Sequence, residues 1–443
     1  MKSLVLALFA LLFSTLSSAQ DLPVLVTTEM PQLLTIYKEL HQHPELSHQE
    51  KQTSALLAED LRKAGFTVTE NVGKYTDGTQ AYGVVAVMKN GTGPTVLVRT
   101  DMDALPVEEK TGLPYASAVR SKNDVGDDVG VMHACGHDIH ITTMIGVARA
   151  LSQMKAQWHG TLILIGQPSE ERVDGARAML NDNLYARFGK PDYAIALHDD
   201  ATLEAGKVGV ISGPVLAGSA SVDVIMRGLG GHGAKPEATK DPVVMSAQFI
   251  NAIQTIVSRQ IAPQDPAVVT VGSIHGGTKR NIIPDQVTML LTIRTFNDQL
   301  KSTIIADLTR TAQGVALAAG VPESRAPIIT NHENEAVPVT YNDPQLAAKL
   351  RPVFVRVLGA ENVLEPHPEM GSEDFGLLGL EEHQVPVFML RLGAVAPEKM
   401  AESKRTGQPL PSLHSSLFAP LPEPTIRTGV IAMTSAVVAL MSK

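Results

Sequence analysis

The chain has 443 residues, 44% of them hydrophobic and 19% charged, a length that suggests two or three domains and a balance that excludes wholesale disorder. Its net charge of −9, with no basic cluster, argues against nucleic acid and anionic membranes as partners. A single cysteine, Cys135, excludes an internal disulfide framework and any multi-cysteine zinc ribbon, and 4% aromatic content speaks against an aromatic-lined sugar or single-strand groove.

Residues 1–19 read as an export leader. Lys2 gives a positive start, 4–16 are apolar, and Ser17-Ser18-Ala19 put small residues at −3 and −1 of a cut before Gln20. The apolar stretch is shorter than the ~20 residues of a membrane span, and no later uninterrupted run of 18 apolar residues follows. The expectation is a secreted or periplasmic chain, off the membrane once the leader is cleaved. An unpaired Cys135 in an oxidising compartment needs a reason to exist, and a metal would supply one.

From 28 to 64, apolar positions recur at helical spacing with Pro44 interrupting, and Gly65 ends the segment as a helix cap would. Strand-like runs follow at 83–89 and 95–100, then a helical stretch at 142–154 and apolar runs at 160–166 and 191–197. This alternation predicts an α/β fold, a central and mostly parallel sheet flanked by helices. Ligands in such sheets sit at the carboxyl ends of the strands, and Asp101, Asp103, Glu170, Glu171 and His198 all follow strand-like runs.

The rhythm then changes. A strand at 219–227, a helix at 242–259, strands at 267–274 and 286–295, a helix at 299–319 and a short strand at 326–330 spell β-α-β-β-α-β. Residues 217–327 are therefore expected to form an inserted α+β lid or dimerisation domain. The larger domain would comprise 20–216 and 328–443, resuming with a helix at 344–358, a strand at 385–391 and a C-terminal helix.

Four segments carry chemistry. In His133-Ala134-Cys135-Gly136-His137-Asp138-Ile139-His140, thiolate and imidazole stand two residues apart around a glycine that permits a sharp turn, a spacing that allows a metal site but by itself fits a small buried cysteine beside a core histidine better. In Ser169-Glu170-Glu171-Arg172, adjacent carboxylates on irregular backbone point apart, so one can bind a metal while the other shuttles a proton. A solvated acidic turn is the alternative. His198 ends an apolar strand and His414 sits in Ser412-Leu413-His414-Ser415; each taken alone fits a structural histidine. Together, Cys135, His137, Glu171, His198 and His414 offer one thiolate, one carboxylate and three imidazoles. That set suits one or two borderline divalent ions such as zinc, manganese, cobalt or nickel, and suits magnesium poorly.

With these motifs in view, the chain resembles the M20 metallopeptidase and amidohydrolase family, in its branch of aminoacylases, hippurate-type hydrolases and plant auxin-conjugate hydrolases. The resemblance runs from about His41 to His414. It rests on His43-Pro44-Glu45-Leu46-Ser47, Asp101-Met102-Asp103-Ala104-Leu105-Pro106, Cys135-Gly136-His137-Asp138-Ile139-His140, Glu170-Glu171, Gly231-His232-Gly233-Ala234, Asn281-Ile282-Ile283-Pro284-Asp285 and Gly371-Ser372-Glu373-Asp374-Phe375. Where many relatives begin the first metal motif with His-x-Asp, Asp101 stands here and Cys-Gly-His supplies ligands, which marks the branch.

The resemblance implies that Cys135, His137, Glu171, His198 and His414 bind two divalent ions and that Glu170 is the general base. It implies that Asp103 orients a ligand histidine through its free ring nitrogen. It also implies that His232 steadies an oxyanion from the small domain, often in a dimer partner's site, and that Asn281 and Arg294 hold the substrate's carboxylate or carbonyl. The expected substrate is a small N-acyl or N-aroyl amino acid, or a dipeptide-like compound with a free carboxylate, and the expected assembly a homodimer or higher homo-oligomer. A carboxypeptidase or dipeptidase of the same superfamily is the nearest alternative. A non-catalytic periplasmic binding protein is a remoter one, since a pure binder needs no spare carboxylate at Glu170. The chain departs from the branch at Asp199-Asp200-Ala201, at Glu237 and at Ser415-Ser416, which touches specificity more than chemistry.

Overall fold

The computed structural model describes residues 21–380 and 383–442; the leader expected at 1–19 lies outside the described residues. The 28–64 segment resolves into two helices, Leu22–Gln42 and Lys51–Lys63, with Gly65 taking the left-handed conformation (φ 89°) after the second, as a helix-ending glycine does.

An eight-stranded sheet organises the larger domain. Its four central strands, Gly160–Gln167, Thr95–Asp101, Tyr193–Glu204 and Val387–Val395, run parallel as expected. Gln80–Asn90 on one side and Val208–Gly209 on the other run antiparallel to them, and the outer strand Thr67–Lys74 pairs antiparallel with Gln80–Asn90, so the sheet is mixed at its margins. The central strands are buried on both faces, which explains why they read as continuous apolar runs rather than alternations. Separate cores fill the two faces. In one, helix His137–Gln153 packs against Leu22–Gln42 and Pro422–Met441. That last helix is long and apolar enough to cross a membrane, yet most of it is buried in this core.

The inserted segment forms a four-stranded antiparallel sheet, Ala267–His275, Gln286–Thr295, Gly218–Arg227 and Ile328–Val337 in spatial order, with helices Pro242–Thr255 and Asp298–Ala318 over one face. Its last strand lies wholly beyond the boundary expected at 327, because Ile328–Val337 pairs with Gly218–Arg227. The strand expected at 326–330 is thus longer than its apolar residues suggested, its continuation through the exposed, polar stretch Thr330-Asn331-His332-Glu333-Asn334-Glu335 leaving no apolar pattern. Ser219, Ser221, Thr292 and Arg294 reach from this sheet toward the larger domain, where they line a pocket at the carboxyl ends of the parallel strands.

Candidate metal centre

The strand ends place the donors. Asp101 ends its strand in register with Gln167, so Asp103 and the Glu170-Glu171 turn leave the sheet side by side. Cys135 and Gly136 precede helix His137–Gln153, and Gly136 adopts φ 73°, with space only for hydrogen on its α-carbon: a Cβ there would lie 2.3 Å from the Asp199 carboxylate. His198 sits inside strand Tyr193–Glu204 rather than after it, as the apolar run ending at Leu197 had suggested. His414 adopts a left-handed backbone (φ 66°) pinned by its N–H to the Ala134 carbonyl at 2.8 Å, a strained conformation of the kind that persists at functional sites.

These elements converge. Cys135 Sγ lies 3.6 Å from His198 Nε2 and 3.3 Å from His414 Nε2, and His414 Nε2 is 3.5 Å from Glu171 Oε2. His137 Nε2 is 4.0 Å from Glu171 Oε1 and 3.9 Å from Glu170 Oε2. The donors fall into two trios that share the thiolate: Cys135, His137, His198 and Cys135, Glu171, His414. Donors bound tetrahedrally at ~2.0–2.3 Å stand about 3.6 Å apart, close to the 3.3–3.6 Å that separate Cys135 Sγ from the two imidazoles and His414 from Glu171.

Hydrogen bonds preset the donors. His137 Nδ1–H donates to the Asp103 carbonyl at 2.8 Å and His198 Nδ1–H to the Asp199 carbonyl at 2.7 Å, so both Nε2 lone pairs face the centre. The Asp103 carboxylate stands 3.5 Å from His137 Nδ1, and it has a second task. Its Oδ1 accepts the Glu170 N–H at 3.0 Å, while Oδ2 accepts the Glu171 N–H at 3.0 Å and the Ser47 hydroxyl at 2.6 Å. Asp103 therefore fixes the turn that aims both glutamates.

His137 Nε2 and Glu171 Oε1 are buried without hydrogen-bond partners among the described residues. Burial and the neighbouring Glu171 and Glu170 push the Cys135 thiol well up, and burial with Glu373, Glu171 and Asp374 nearby raises Glu170 despite Arg99. Burial alone would depress His137, yet Asp101 and Asp103 hold it well above the ordinary range, a potential that favours positive charge at that point. A buried, mostly anionic cluster with two orphaned donors and soft-to-borderline ligands fits divalent cations.

Glu170, Glu171, Cys135, His198, His414 and Arg294 line one pocket of about 840 Å³ between the domains. Arg294, otherwise readable as a solvated strand-end residue, donates through Nη1 to the Met370 carbonyl at 2.8 Å and the Ser372 hydroxyl at 3.0 Å. His232 and Asn281 are not brought there. They occupy the exposed tip of the small domain, where Gly231–His232 pairs with Ile282–Ile283 and the Ala234 N–H donates to His232 Nδ1 at 3.0 Å, leaving the Nε2–H outward.

Beneath the centre lies a network that sequence reasoning missed. Arg99, 2% exposed, donates to Asp101 at 2.6 Å, Glu373 at 2.8 Å, Asp374 at 3.2 Å and Gln167 at 2.9 Å. Asp101 in turn accepts from His140 Nδ1 at 2.6 Å, whose Nε2 receives the Asp199 N–H at 2.9 Å. An arginine inside an apolar strand was the available signal, and Gly371-Ser372-Glu373-Asp374-Phe375 was its other half.

The chain matches the family model described as peptidase family M20/M25/M40 over residues 97–405. It is 35% identical to thermostable carboxypeptidase 1 of Saccharolobus solfataricus, over 77% of this chain and 81% of that one, and 35% identical to the hippurate hydrolase of Campylobacter jejuni, over 77% and 83%. In fold it is similar to a dinuclear metal-binding peptidase of family M20 from Bacillus subtilis (TM-score 0.74, 26% identity, 94% of this chain and 99% of that one).

Proposed function

The chain belongs to peptidase family M20/M25/M40 and is a metal-dependent amidohydrolase; from that premise we propose that it is exported and cleaves the amide of N-acyl or N-aroyl amino acids at a pair of divalent ions. What carries the two-ion reading is the geometry of the donors, two trios meeting at one thiolate. Cys135, His137, Glu171, His198 and His414 would hold the ions, and zinc, manganese, cobalt and nickel all suit the set.

When bound, such ions supply Lewis acidity, which acidifies water and polarises an amide carbonyl. The protein does the rest. Glu170, buried and raised in pKa, takes the proton of the attacking water and passes it to the leaving nitrogen, and Asp103 holds it in place by gripping its N–H. Arg294 faces the pocket as a donor for the substrate carboxylate. His232, with Nε2–H outward, would serve the oxyanion in the site of a second copy of the chain, which makes a homodimer the functional unit.

The test is turnover of a mixed panel of N-acetyl amino acids, N-benzoyl amino acids and dipeptides, read by released amine before and after chelation. Loss with chelator and recovery with zinc, manganese or cobalt is expected, with the acylated amino acids ahead. A ranking led by dipeptides or C-terminal cleavage would transfer the protein to the carboxypeptidase reading that one relative's name favours. Export is checked separately: the N-terminus of protein recovered outside the cytoplasm should be Gln20.

A further inference from the structure

Asp199 and Asp200, at which the chain departs from the branch after His198, do not line the pocket. Asp199 is fully buried against His140 and Gly136. Asp200, also buried, takes the Thr202 N–H and hydroxyl at 2.7 Å each and an ion pair from Arg391 Nη2 at 3.1 Å. Arg391 is the residue they present. It stands in register with His198 on the neighbouring strand, is 3% exposed, and lines the pocket. Its Nε and Nη1 have no hydrogen-bond partner among the described residues. Its other ion pair, to Glu369 at 3.0 Å, is to a carboxylate 43% exposed that can turn to solvent.

We propose that Arg391 forms an anion subsite on the catalytic-domain wall of the pocket, beside the ligand His198, so that the preferred substrates carry a second carboxylate in addition to the one facing Arg294. A guanidinium with two unused donors in a buried setting binds a carboxylate by charge-assisted, directional hydrogen bonds. The entering carboxylate takes the place of Glu369, while Asp200 keeps the guanidinium in position. Elsewhere in the pocket lining Ser219, Ser221, Thr292 and Ser372 are polar, and Tyr75 is the one aromatic residue lining the pocket among those described. The second carboxylate can be the side chain of an acidic amino acid or the far end of a dicarboxylic acyl group. This inference rests on the amidohydrolase reading above.

The experiment compares isosteric pairs: N-acetylglutamate with N-acetylglutamine, and N-succinylalanine with its terminal amide, N-succinamoylalanine. In the wild type, kcat/KM should favour the doubly charged member of at least one pair by about tenfold or more, and the pair that responds tells which source supplies the carboxylate. In Arg391→Gln, and in Arg391→Gln combined with Asp200→Asn so that no buried acid is left unpaired, that ratio should fall to near one. A purely structural role would lower both members alike and leave the ratio standing. Calorimetric binding of glutarate, weakened at least about tenfold in both variants, reads the subsite without turnover. Equal rates within both wild-type pairs, a preference that survives both substitutions, or unchanged glutarate binding would overturn the subsite. Failure to cleave any of the four amides would count against the amidohydrolase reading, with glutarate then deciding the subsite alone.

Discussion

On the larger domain's side of the pocket, His137 and His198 each have one ring nitrogen tied to a backbone carbonyl, and Glu170 and Glu171 hang from a turn gripped by a buried aspartate. On the small domain's side, His232 on a two-residue strand pair and Asn281 in the turn just before it sit exposed, away from the pocket they are expected to serve. The difference follows from charge. Donors for cations must be held together against their mutual repulsion, and only rigid strand ends with internal hydrogen bonds do that. A group that meets charge developing on the substrate can instead arrive from a mobile or separate body.

The comparison breaks first at Glu170. Glu170→Gln should leave the metal content unchanged and lower kcat by about 10²–10⁴; a variant with a tenth of wild-type turnover would remove the general base from the catalytic-domain side. On the other side, His232→Ala should cost about 10²–10³ in kcat without loss of metal. If His232 acts in the partner's site, co-refolded His232→Ala and Glu170→Gln chains should recover up to about a quarter of wild-type activity, since half the dimers would carry one complete site. No recovery in a mixture shown to contain hybrid dimers would place His232 in its own chain's site. A smaller effect sharpens the rigid side. In Asp103→Asn, an amide replaces one acceptor of two backbone N–H groups, and metal affinity should drop about 10–100-fold. An unchanged affinity would mean that the turn holds itself.

The same contrast explains what was legible beforehand. Cys135, His137, Glu170 and Glu171 stand in short contiguous motifs, so the chemistry of neighbours in sequence sufficed to find them. The Arg99 network joins residues 274 and 275 apart in the chain, and no local pattern announces such a partnership. Arg391 likewise shows its relation to His198 only when the two strands are laid side by side. The strand expected at 326–330 proved to run from Ile328 to Val337, and its length was missed for another reason. It is an edge strand with largely exposed side chains, so burial had written little alternation into it.

The smallest effect on turnover, and the most remote from the pocket, concerns how the rigid side is braced. His41 on the first helix is buried between Asp138 (2.6 Å to Nδ1) and Glu109 (3.1 Å to Nε2), so both ring nitrogens face carboxylates and both must carry protons. Burial by itself would lower its pKa, but the hydrogen bonds to Asp138 and Glu109 outweigh it and raise it to about 10. A folded-state pKa above the unfolded one stabilises the protein fully below about pH 6.5, and that contribution is lost as pH rises through about 10. For a pair of buried partners it amounts to a few kcal/mol. In urea unfolding, the stability gap between the wild type and His41→Gln should therefore be widest near pH 6 and narrow steadily toward pH 10, while kcat at neutral pH changes little. A gap that stays constant across that range would show that His41 braces the helix by packing against Tyr37 and Tyr115 rather than by charge.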